Sequence, residues 1–390
     1  MFYKKQYDII FKKKGGIDMN NNLKERLDNI AKEANAVGVS ALICNKDEIL
    51  YKYFYGKRDI ENNLDTVDGT IYRIASISKV VVGMGIMMLH DEGKLNIYED
   101  ISKYLGYTVR NPNHPDLPIT VEMVMTQTSS LCDGEDEKLG YDGVNGPKFY
   151  VSLERLLTDP TYEYYTDKTF LKTKPGEKFC YSNFGCGILA CIIEKVTNMY
   201  FTDFIIERLL KPLDIDGSFR IEDIKNTKMV ASLYSEKHVV NRSYERFMKY
   251  QFDRYPLGDN FRGPAGGLFI SGKDLSKIMR LLMNKGIFEE KRYLSENIMN
   301  DARRVHWESD IPDGNYRKKG LQMIIIDSYG DRLYGHTGDA YGLKSFMLFN
   351  DDFGYIFLCN GAHFEPREND MCVLLHDYLE AMVNETRNIK

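Results

Sequence analysis

The stretch SISKVVVGMGIMMLHDE, residues 76–92, indicates where the centre of the fold lies. It is apolar on nearly every side after Lys79, and a helix that is hydrophobic all round is a buried central helix. Gly83 and Gly85 lower the helix propensity, so we expect another backbone to pack closely against them. The stretch therefore predicts a buried helix with Ser76 and Lys79 at its start.

Strand patterns lie on both sides of this helix, near the two ends of the chain. VGVSALICN (37–45) and EILYKYFYG (48–56) are rich in β-branched and aromatic residues and predict a hairpin. An amphipathic helix is predicted before it, over 21–35, and a closing helix over 367–386. Four more strands are predicted late in the chain, at 321–327, 332–336, 343–350 and 354–360.

The middle of the chain predicts helices and long loops instead. The predicted helices are 119–127, 151–158, 185–197, 202–211 and 272–284. The fold class expected is α/β (α+β): an antiparallel sheet flanked by helices, built from both termini, with an inserted mainly helical lobe. We expect a single domain over 21–390. Its α/β lobe would comprise 21–93 plus 316–390 and its helical lobe 94–315, after a poorly ordered lead-in over 1–20 with a second candidate start at Met19.

Composition narrows the class of protein without naming an activity. The 52 basic and 57 acidic residues give a net charge of −5, too balanced for a nucleic-acid surface. Seven cysteines without regular spacing exclude a disulfide scaffold and suit a reducing compartment. No run reaches the roughly 18 apolar residues of a membrane span, and no signal-peptide core is present. The expectation is a soluble, cytoplasmic protein with no membrane or nucleic-acid partner.

Ser76 and Lys79 form the only S-x-x-K pattern of the chain. A helix places residues i and i+3 on one face, so the Lys79 amine can lie beside the Ser76 hydroxyl. Serine needs an adjacent base to act as a nucleophile, and a lysine in an apolar place loses its proton more easily. Alone, the pattern fits equally well a helix cap followed by an ordinary lysine.

Two further groups of residues could present chemistry. Tyr181-Ser182-Asn183 precedes an apolar helix, where a phenol can relay a proton and an amide can bind a carbonyl. His336-Thr337-Gly338 ends a predicted strand, and small residues there let the backbone approach a ligand. Taken singly, a helix cap and a structural histidine explain these residues at least as well.

Together, in this order, the three motifs resemble those of the penicillin-recognising serine hydrolases. That family carries S-x-x-K, then Y-x-N, then K-T-G or H-x-G. The class C β-lactamases, their related esterases and D-amino-acid peptidases are the most similar branch. ITVEMVMTQTSSL (119–131) and RGPAGGLFISGKDLSKIM (262–279) also resemble family segments, and the resemblance spans about 21–385. It implies a β-lactamase/transpeptidase-like fold with no metal and no cofactor.

The resemblance also implies a role for each motif residue. Ser76 matches the acylated nucleophile, Lys79 its activating partner, and Tyr181 the general base or proton relay. The residues that match the family's substrate-binding and oxyanion-binding positions are Asn183, His336, Gly338 and Asp339. The backbone N–H groups of Ser76 and Asp339 match the oxyanion hole.

Three departures from the family pattern qualify these roles. His336 replaces a permanently charged lysine, a change more typical of esterases and aminopeptidases. Asp339 stands where a small residue is usual, and a carboxylate there would oppose an anionic transition state. Gln127 and Ser130 replace a histidine and a glycine, which we interpret as structural.

The leading hypothesis is therefore a serine hydrolase that forms an acyl-enzyme on a small-molecule acyl substrate. Small esters and D-amino-acid amides or peptides are the expected substrates. Two alternatives stay open. One is a non-catalytic penicillin-binding or sensor protein of the same fold, and the other is a D-alanyl-D-alanine carboxypeptidase.

Overall fold

A nine-stranded antiparallel sheet organises the computed structural model of this chain. The structure describes residues 21–134, 136–145, 149–249, 255–309, 317–367 and 371–387, so the predicted lead-in over 1–20 lies outside the described residues. The strands are β1 (Gly38–Cys44), β2 (Ile49–Asp59), β3 (Leu64–Asp65), β4 (Ile71–Arg73), β5 (Leu233–Tyr234), β6 (Val240–Arg242), β7 (Phe269–Ser271), β8 (Ile287–Phe288), β9 (Lys291–Arg292), β10 (Trp307–Glu308), β11 (Lys318–Lys319), β12 (Ile324–Ser328), β13 (Asp331–Ala340), β14 (Leu343–Phe349) and β15 (Gly354–Cys359). The helices are α1 (Asn21–Glu33), α2 (Ser78–Asp91), α3 (Ile101–Leu105), α4 (Val121–Met125), α5 (Gly140–Val144), α6 (Leu153–Thr158), α7 (Asn183–Thr197), α8 (Phe201–Ile205), α9 (Tyr244–Met248), α10 (Gly272–Met283), α11 (Glu296–Arg303) and α12 (Val373–Arg387).

The main sheet joins the two ends of the described chain. Its strand order is β10-β11-β12-β13-β14-β15-β1-β2-β3. The junction lies between β1 and β15, which pair antiparallel with Val39 opposite Cys359. Every residue of both strands is buried, because helices cover the two faces of the sheet at this point. The predicted fold class, an antiparallel sheet built from both ends and flanked by helices, is confirmed.

Two apolar clusters fill the space on either side of the sheet. On one side α1 and α12 pack together, with Leu27 and Tyr378 buried beneath them. On the other side α10 lies on β1, β14 and β15, and the larger cluster continues from there through α2 and α7. The division of one domain into an α/β lobe (21–93 plus 316–390) and a helical lobe (94–315) stays a prediction.

The helix α2 is buried along most of its length, as its composition predicts. Every residue from Ser78 to Leu89 is buried. The reason for its two glycines differs from the expectation of a second backbone. A Cβ on Gly83 would lie 2.6 Å from the Cβ of Gln322, and one on Gly85 would lie 2.8 Å from Cδ1 of Ile193. Side chains of neighbouring elements, not a backbone, therefore occupy the space beside both glycines.

Some element boundaries differ from the predicted ones. The strand predicted over 332–336 extends from Asp331 to Ala340, so His336 and Gly338 lie within β13 and not at its end. The strand predicted from residue 321 begins only at Ile324, because Gln322 adopts a left-handed backbone with a φ of 53°. The helix predicted over 202–211 consists of α8 followed by a π-helical turn, Ile206–Leu210.

Within the described part of the chain, no single helix is both long and apolar enough to cross a bilayer. Two neighbouring helical segments, Asn183–Thr197 and Phe201–Leu210, would be long and apolar enough only if they were counted together, and they meet at a bend of 79°.

Candidate active site

Ser76 lies in a strained turn immediately before α2. The residues Ala75–Ile77 form a single 3₁₀ turn, and Ala75 has a φ of 52°. A left-handed backbone costs a residue with a Cβ about 1 kcal/mol, so the surrounding packing must hold Ala75 in place. Ala75 is buried, whereas Ser76 is half-buried. The turn therefore presents the Ser76 hydroxyl from a fixed backbone.

The Lys79 side chain is fully buried and reaches three oxygen atoms. Its Nζ lies 3.0 Å from Oγ of Ser76, 2.8 Å from Oδ1 of Asn183 and 3.0 Å from the carbonyl oxygen of Ala265. An ammonium group has three N–H donors, so this set matches its hydrogen-bonding capacity. Lys79 thus connects the start of α2 to the start of α7 and fixes its own amine beside Ser76.

Tyr181 approaches the same serine from the other side. Its hydroxyl donates a hydrogen bond to Oγ of Ser76 at 2.7 Å, and Nζ of Lys79 lies 4.8 Å from the centroid of its ring. The S-x-x-K and Y-x-N motifs, separated by about a hundred residues, therefore meet at one hydroxyl, while the catalytic roles expected for them stay predictions.

Asp133 holds the Tyr181–Asn183 segment in place, a role that no sequence motif indicated. One carboxylate oxygen accepts from Oγ of Ser182 at 2.9 Å and from the backbone N–H of Phe184 at 2.8 Å. The other accepts from the backbone N–H of Asn183 at 3.1 Å and from its Nδ2 at 2.8 Å. A negative charge at the start of α7 is also favoured by the helix dipole. We call this set of contacts the Asp133 clamp.

His336 is fully buried beside the tyrosine. Its ring centroid lies 6.2 Å from that of Tyr181, and Nδ1 lies 2.6 Å from the carbonyl oxygen of Thr337. A carbonyl oxygen only accepts, so Nδ1 carries the proton. Burial and the charges of Lys319 and Lys79 lower the pKa of His336 well below its ordinary value. The imidazole is neutral at pH 7 and adds no charge to the site.

Lys319 is a second buried lysine in the neighbourhood of Lys79 and His336. Its side chain is 0% exposed, and its Nζ lies 5.9 Å from the centroid of the Phe179 ring. Burial, and after it the positive charge of Lys79, lower the pKa of Lys319 from 10.5 to about 7. Sequence reasoning missed this residue, because a run of three basic residues (317–319) ordinarily indicates a solvated segment.

Gly338 allows β13 to lie directly against the turn of Ser76. A Cβ at position 338 would lie 2.6 Å from the carbonyl oxygen of Ile74 and 2.3 Å from Oγ of Ser345. Real Cβ atoms do not approach other atoms so closely, so a side chain there would separate strand and turn. Gly338 therefore allows β13 to lie against the turn that carries Ser76, and its expected role in substrate binding stays a prediction.

The carboxylate of Asp339 points away from that contact. Asp339 faces Lys344 across β13 and β14, forms an ion pair with it, and keeps 67% of its side chain exposed. Its charge is consequently screened by water and by Lys344. The role expected for the backbone N–H groups of Ser76 and Asp339, as an oxyanion hole, stays a prediction.

Gln127 and Ser130 both adopt left-handed backbones, with φ of 61° and 65°. The carbonyl oxygen of Gln127 accepts from the backbone N–H of Cys180 at 2.9 Å, and Oγ of Ser130 accepts from Nδ2 of Asn111 at 3.0 Å. These contacts join both residues to neighbouring segments of the chain, and the structural interpretation of the two departures stays a prediction. Among the described residues, no group of three or more His, Cys, Asp or Glu side chains is arranged to hold a metal ion.

Comparison with known proteins shows which family and which structures this chain is similar to. The family model described as "Beta-lactamase" matches residues 22–378. "Protein flp" of Staphylococcus aureus (strain MRSA252) is 30% identical over 348 residues, which cover 88% of this chain and 64% of that protein. The chain thus spans somewhat less than two thirds of the length of this curated relative.

Solved structures with the same fold include two with clear similarity over most of the chain. One is the octameric penicillin-binding protein homologue from Pyrococcus abyssi, with a TM-score of 0.69, 23% identity and coverage of 88% of this chain and 74% of that one. The other is the D-amino acid amidase from Ochrobactrum anthropi SV3, with a TM-score of 0.72, 18% identity and coverage of 95% and 99%. At these identities the likeness shows a shared fold.

Proposed function

Because this chain belongs to the beta-lactamase family, we propose that it is a serine hydrolase that forms an acyl-enzyme on Ser76. The observation that carries the proposal is the convergence of two proton-carrying groups on one hydroxyl. Oγ of Ser76 lies 2.7 Å from the hydroxyl of Tyr181 and 3.0 Å from Nζ of Lys79. A serine with such partners can lose its proton as it attacks a carbonyl carbon.

The proposed reaction has two halves that use the same groups. For this step Lys79 acts as the neutral amine: Ser76 attacks the substrate carbonyl while its proton passes to Lys79, directly or through Tyr181, and the backbone N–H groups of Ser76 and Asp339 bind the oxyanion. The leaving group departs with a proton from the same pair of side chains. Water then attacks the acyl-enzyme and releases the acid, and Ser76 recovers its proton.

We further propose that the substrates are small esters or amides and peptides of D-amino acids. The D-amino acid amidase of similar fold supports this class. A permanently charged lysine would favour a substrate carboxylate, but His336 is neutral here because burial and two nearby lysines lower its pKa. An uncharged acyl group is the better match for that environment.

Intact-mass analysis after incubation with a fluorophosphonate probe tests the nucleophile. We expect one adduct on the wild-type chain, mapped to Ser76, and none on Ser76→Ala. Ser328→Ala is the matched control, since Ser328 lies at the far end of β12, and it should be labelled like the wild type. Labelling of Ser76→Ala at the wild-type rate would overturn the assignment.

A substrate panel tests the class and separates the alternatives. It contains p-nitrophenyl esters, D- and L-phenylalanine amide, a D-alanyl-D-alanine peptide and a penicillin. We expect turnover of the esters and of the D-amide. Release of D-alanine from the peptide, without turnover of the esters or the amides, would favour a carboxypeptidase. Acylation without any turnover would favour a binding or sensor protein.

A further inference from the structure

Two thiols meet beside the candidate site, and the proposed reaction uses neither. Sγ of Cys132 and Sγ of Cys180 lie 3.0 Å apart, although the residues are 48 positions apart in the chain. Cys132 immediately precedes Asp133 of the Asp133 clamp, and Cys180 immediately precedes Tyr181. The sulfur atoms of a disulfide are about 2.05 Å apart, so bond formation requires an approach of about 1 Å.

The backbone on both sides of the pair is already fixed. The N–H of Cys132 donates to the carbonyl oxygen of Thr169 at 2.8 Å, and that of Cys180 donates to Gln127 at 2.9 Å. Asp133, one residue after Cys132, joins the same two segments through four hydrogen bonds from residues 182–184, two to four residues after Cys180. Rotation of the two cysteine side chains is therefore the movement we expect to supply the approach.

We propose that Cys132 and Cys180 form an oxidative cross-linking site, in which a low-molecular-weight disulfide converts the two thiols into a disulfide bond. The new bond runs parallel to the Asp133 clamp and ties the same two segments together. It leaves Tyr181 in its place beside Ser76.

The exposure of the two cysteines sets the order of the steps. Cys180 is half-buried and Cys132 is 9% exposed, so Cys180 meets the oxidant first. The Cys180 thiolate attacks one sulfur of the low-molecular-weight disulfide and releases the other half as a thiolate. The Cys132 thiolate then attacks Sγ of Cys180, forms the intramolecular bond and releases the second half. Two protein thiols are oxidised, one disulfide is reduced to two thiols, and the two cysteine protons pass to the released thiolates.

Other cysteines of the chain provide controls. Cys44, Cys186, Cys191 and Cys359 are buried, while Cys372 is half-buried like Cys180. Reactivity that followed exposure alone would therefore modify Cys372 as readily as Cys180. A cross-link specific to Cys132 and Cys180 depends on the contact between their sulfur atoms.

The experiment treats the full-length protein with oxidised glutathione and maps its peptides without reduction. We expect a peptide pair joined through Cys132 and Cys180 in the wild type and in Cys372→Ser. Cys132→Ser should accumulate a glutathione adduct on Cys180, because the second thiol is missing. Neither the cross-link nor that adduct should form in Cys180→Ser. An uncrosslinked wild type, a lasting glutathione adduct on Cys180 in the wild type, or a bond to another cysteine would overturn the proposal.

A rate measurement tests the expected position of Tyr181. Displacement of a reacting group by about 1 Å costs about 100-fold in rate. We expect the oxidised protein to react with a fluorophosphonate within about twofold of the reduced protein, since side-chain rotation alone closes the bond. A larger loss in a fully cross-linked sample would contradict the inference that Tyr181 stays in place. The peptide map needs no enzymatic activity, so its result does not depend on the proposed function.

Discussion

Asp133 offers the sharpest test of how the candidate site is held together. Asp133→Asn is nearly isosteric with the native side chain, but it replaces one of the two accepting oxygens with an N–H₂ group. In the orientation that keeps the bonds from Ser182 and Phe184, the new amide nitrogen faces two other donors. These are the backbone N–H and Nδ2 of Asn183. Both contacts change from attraction to donor–donor repulsion.

The magnitude follows from those two bonds. A hydrogen bond to a charged group contributes about 1.5–3 kcal/mol. Because Asp133 is only half-buried, the lower end applies, and two lost bonds amount to about 3 kcal/mol of unfolding free energy. The loss of negative charge at the start of α7 adds up to about 1 kcal/mol.

The same substitution should slow acylation, because Asn183 is the link between Asp133 and Lys79. Oδ1 of Asn183 lies 2.8 Å from Nζ of Lys79, and the clamp fixes the rotation of that amide. Once Nδ2 loses its partner, the amide can rotate and Lys79 loses one of its oxygen contacts. A misplacement of about 1 Å at Ser76 corresponds to a rate loss of about 100-fold.

Urea unfolding and the rate of fluorophosphonate labelling measure the two effects separately. Asp136→Asn is the matched control. Asp136 lies on the same loop and accepts from the backbone N–H groups of Lys138 and Leu139 through Oδ1, an oxygen that asparagine retains. We expect Asp136→Asn to behave like the wild type. The reasoning is refuted if Asp133→Asn is labelled at the wild-type rate. It is also refuted if Asp133→Asn and Asp136→Asn show the same decrease in labelling rate and in unfolding free energy.

Three further outcomes are expected. Tyr181→Phe removes the hydroxyl that lies 2.7 Å from Oγ of Ser76, so fluorophosphonate labelling should slow by about 100-fold. The unfolding free energy should change by less than about 1 kcal/mol. A loss of unfolding free energy as large as the loss of labelling rate would indicate a structural role instead. Gly338→Ala places a Cβ against the carbonyl oxygen of Ile74 and should lower the thermal midpoint and the labelling rate together, whereas wild-type behaviour would contradict the close contact. The pKa of Lys319 is about 7 in the folded protein, compared with the ordinary value of 10.5 in the unfolded chain. Between these two pH values the folded state therefore binds fewer protons than the unfolded state. The unfolding free energy of the wild type should therefore rise by about 2 kcal/mol from pH 7 to pH 9 relative to Lys319→Met, and parallel curves for the two proteins would contradict the burial of this charge.

The parts of the fold that sequence reasoning predicted are those with a local signal. The strands β1 and β15 are mainly apolar runs bounded by polar turns, β14 ends in the apolar run 346–349, and α2 is apolar on nearly all sides. The motif residues could be placed together only because three weak patterns occurred in one order. The extension of β13 past His336 was missed, because Gly338 and Asp339 belong to the residue types that are depleted in strands. Pairing with β14, in which Gly338 lies opposite Ser345, determines that part of the strand.

Asp133 had no local signal of any kind. It lies between a cysteine and a glycine, without periodicity and without a spacing that belongs to a known motif. Its importance arises from four donors that are brought to it from about 50 residues further along the chain. Contacts of this type depend on the tertiary fold, so a single sequence does not reveal them.

Lys319 was missed for the opposite reason, since its surroundings in the sequence suggested a different environment. Strand alternation separates the two neighbours Lys318 and Lys319. Lys318 forms ion pairs with Asp327 and Glu308 at the surface, while Lys319 is fully buried. Burial, and after it the charge of Lys79, lower the pKa of Lys319 to about 7, so this buried side chain loses most of its charge above that pH. As Lys319 gains a proton below pH 7, its charge opposes a proton on His336, so the imidazole stays neutral at the very pH at which an ordinary histidine becomes charged.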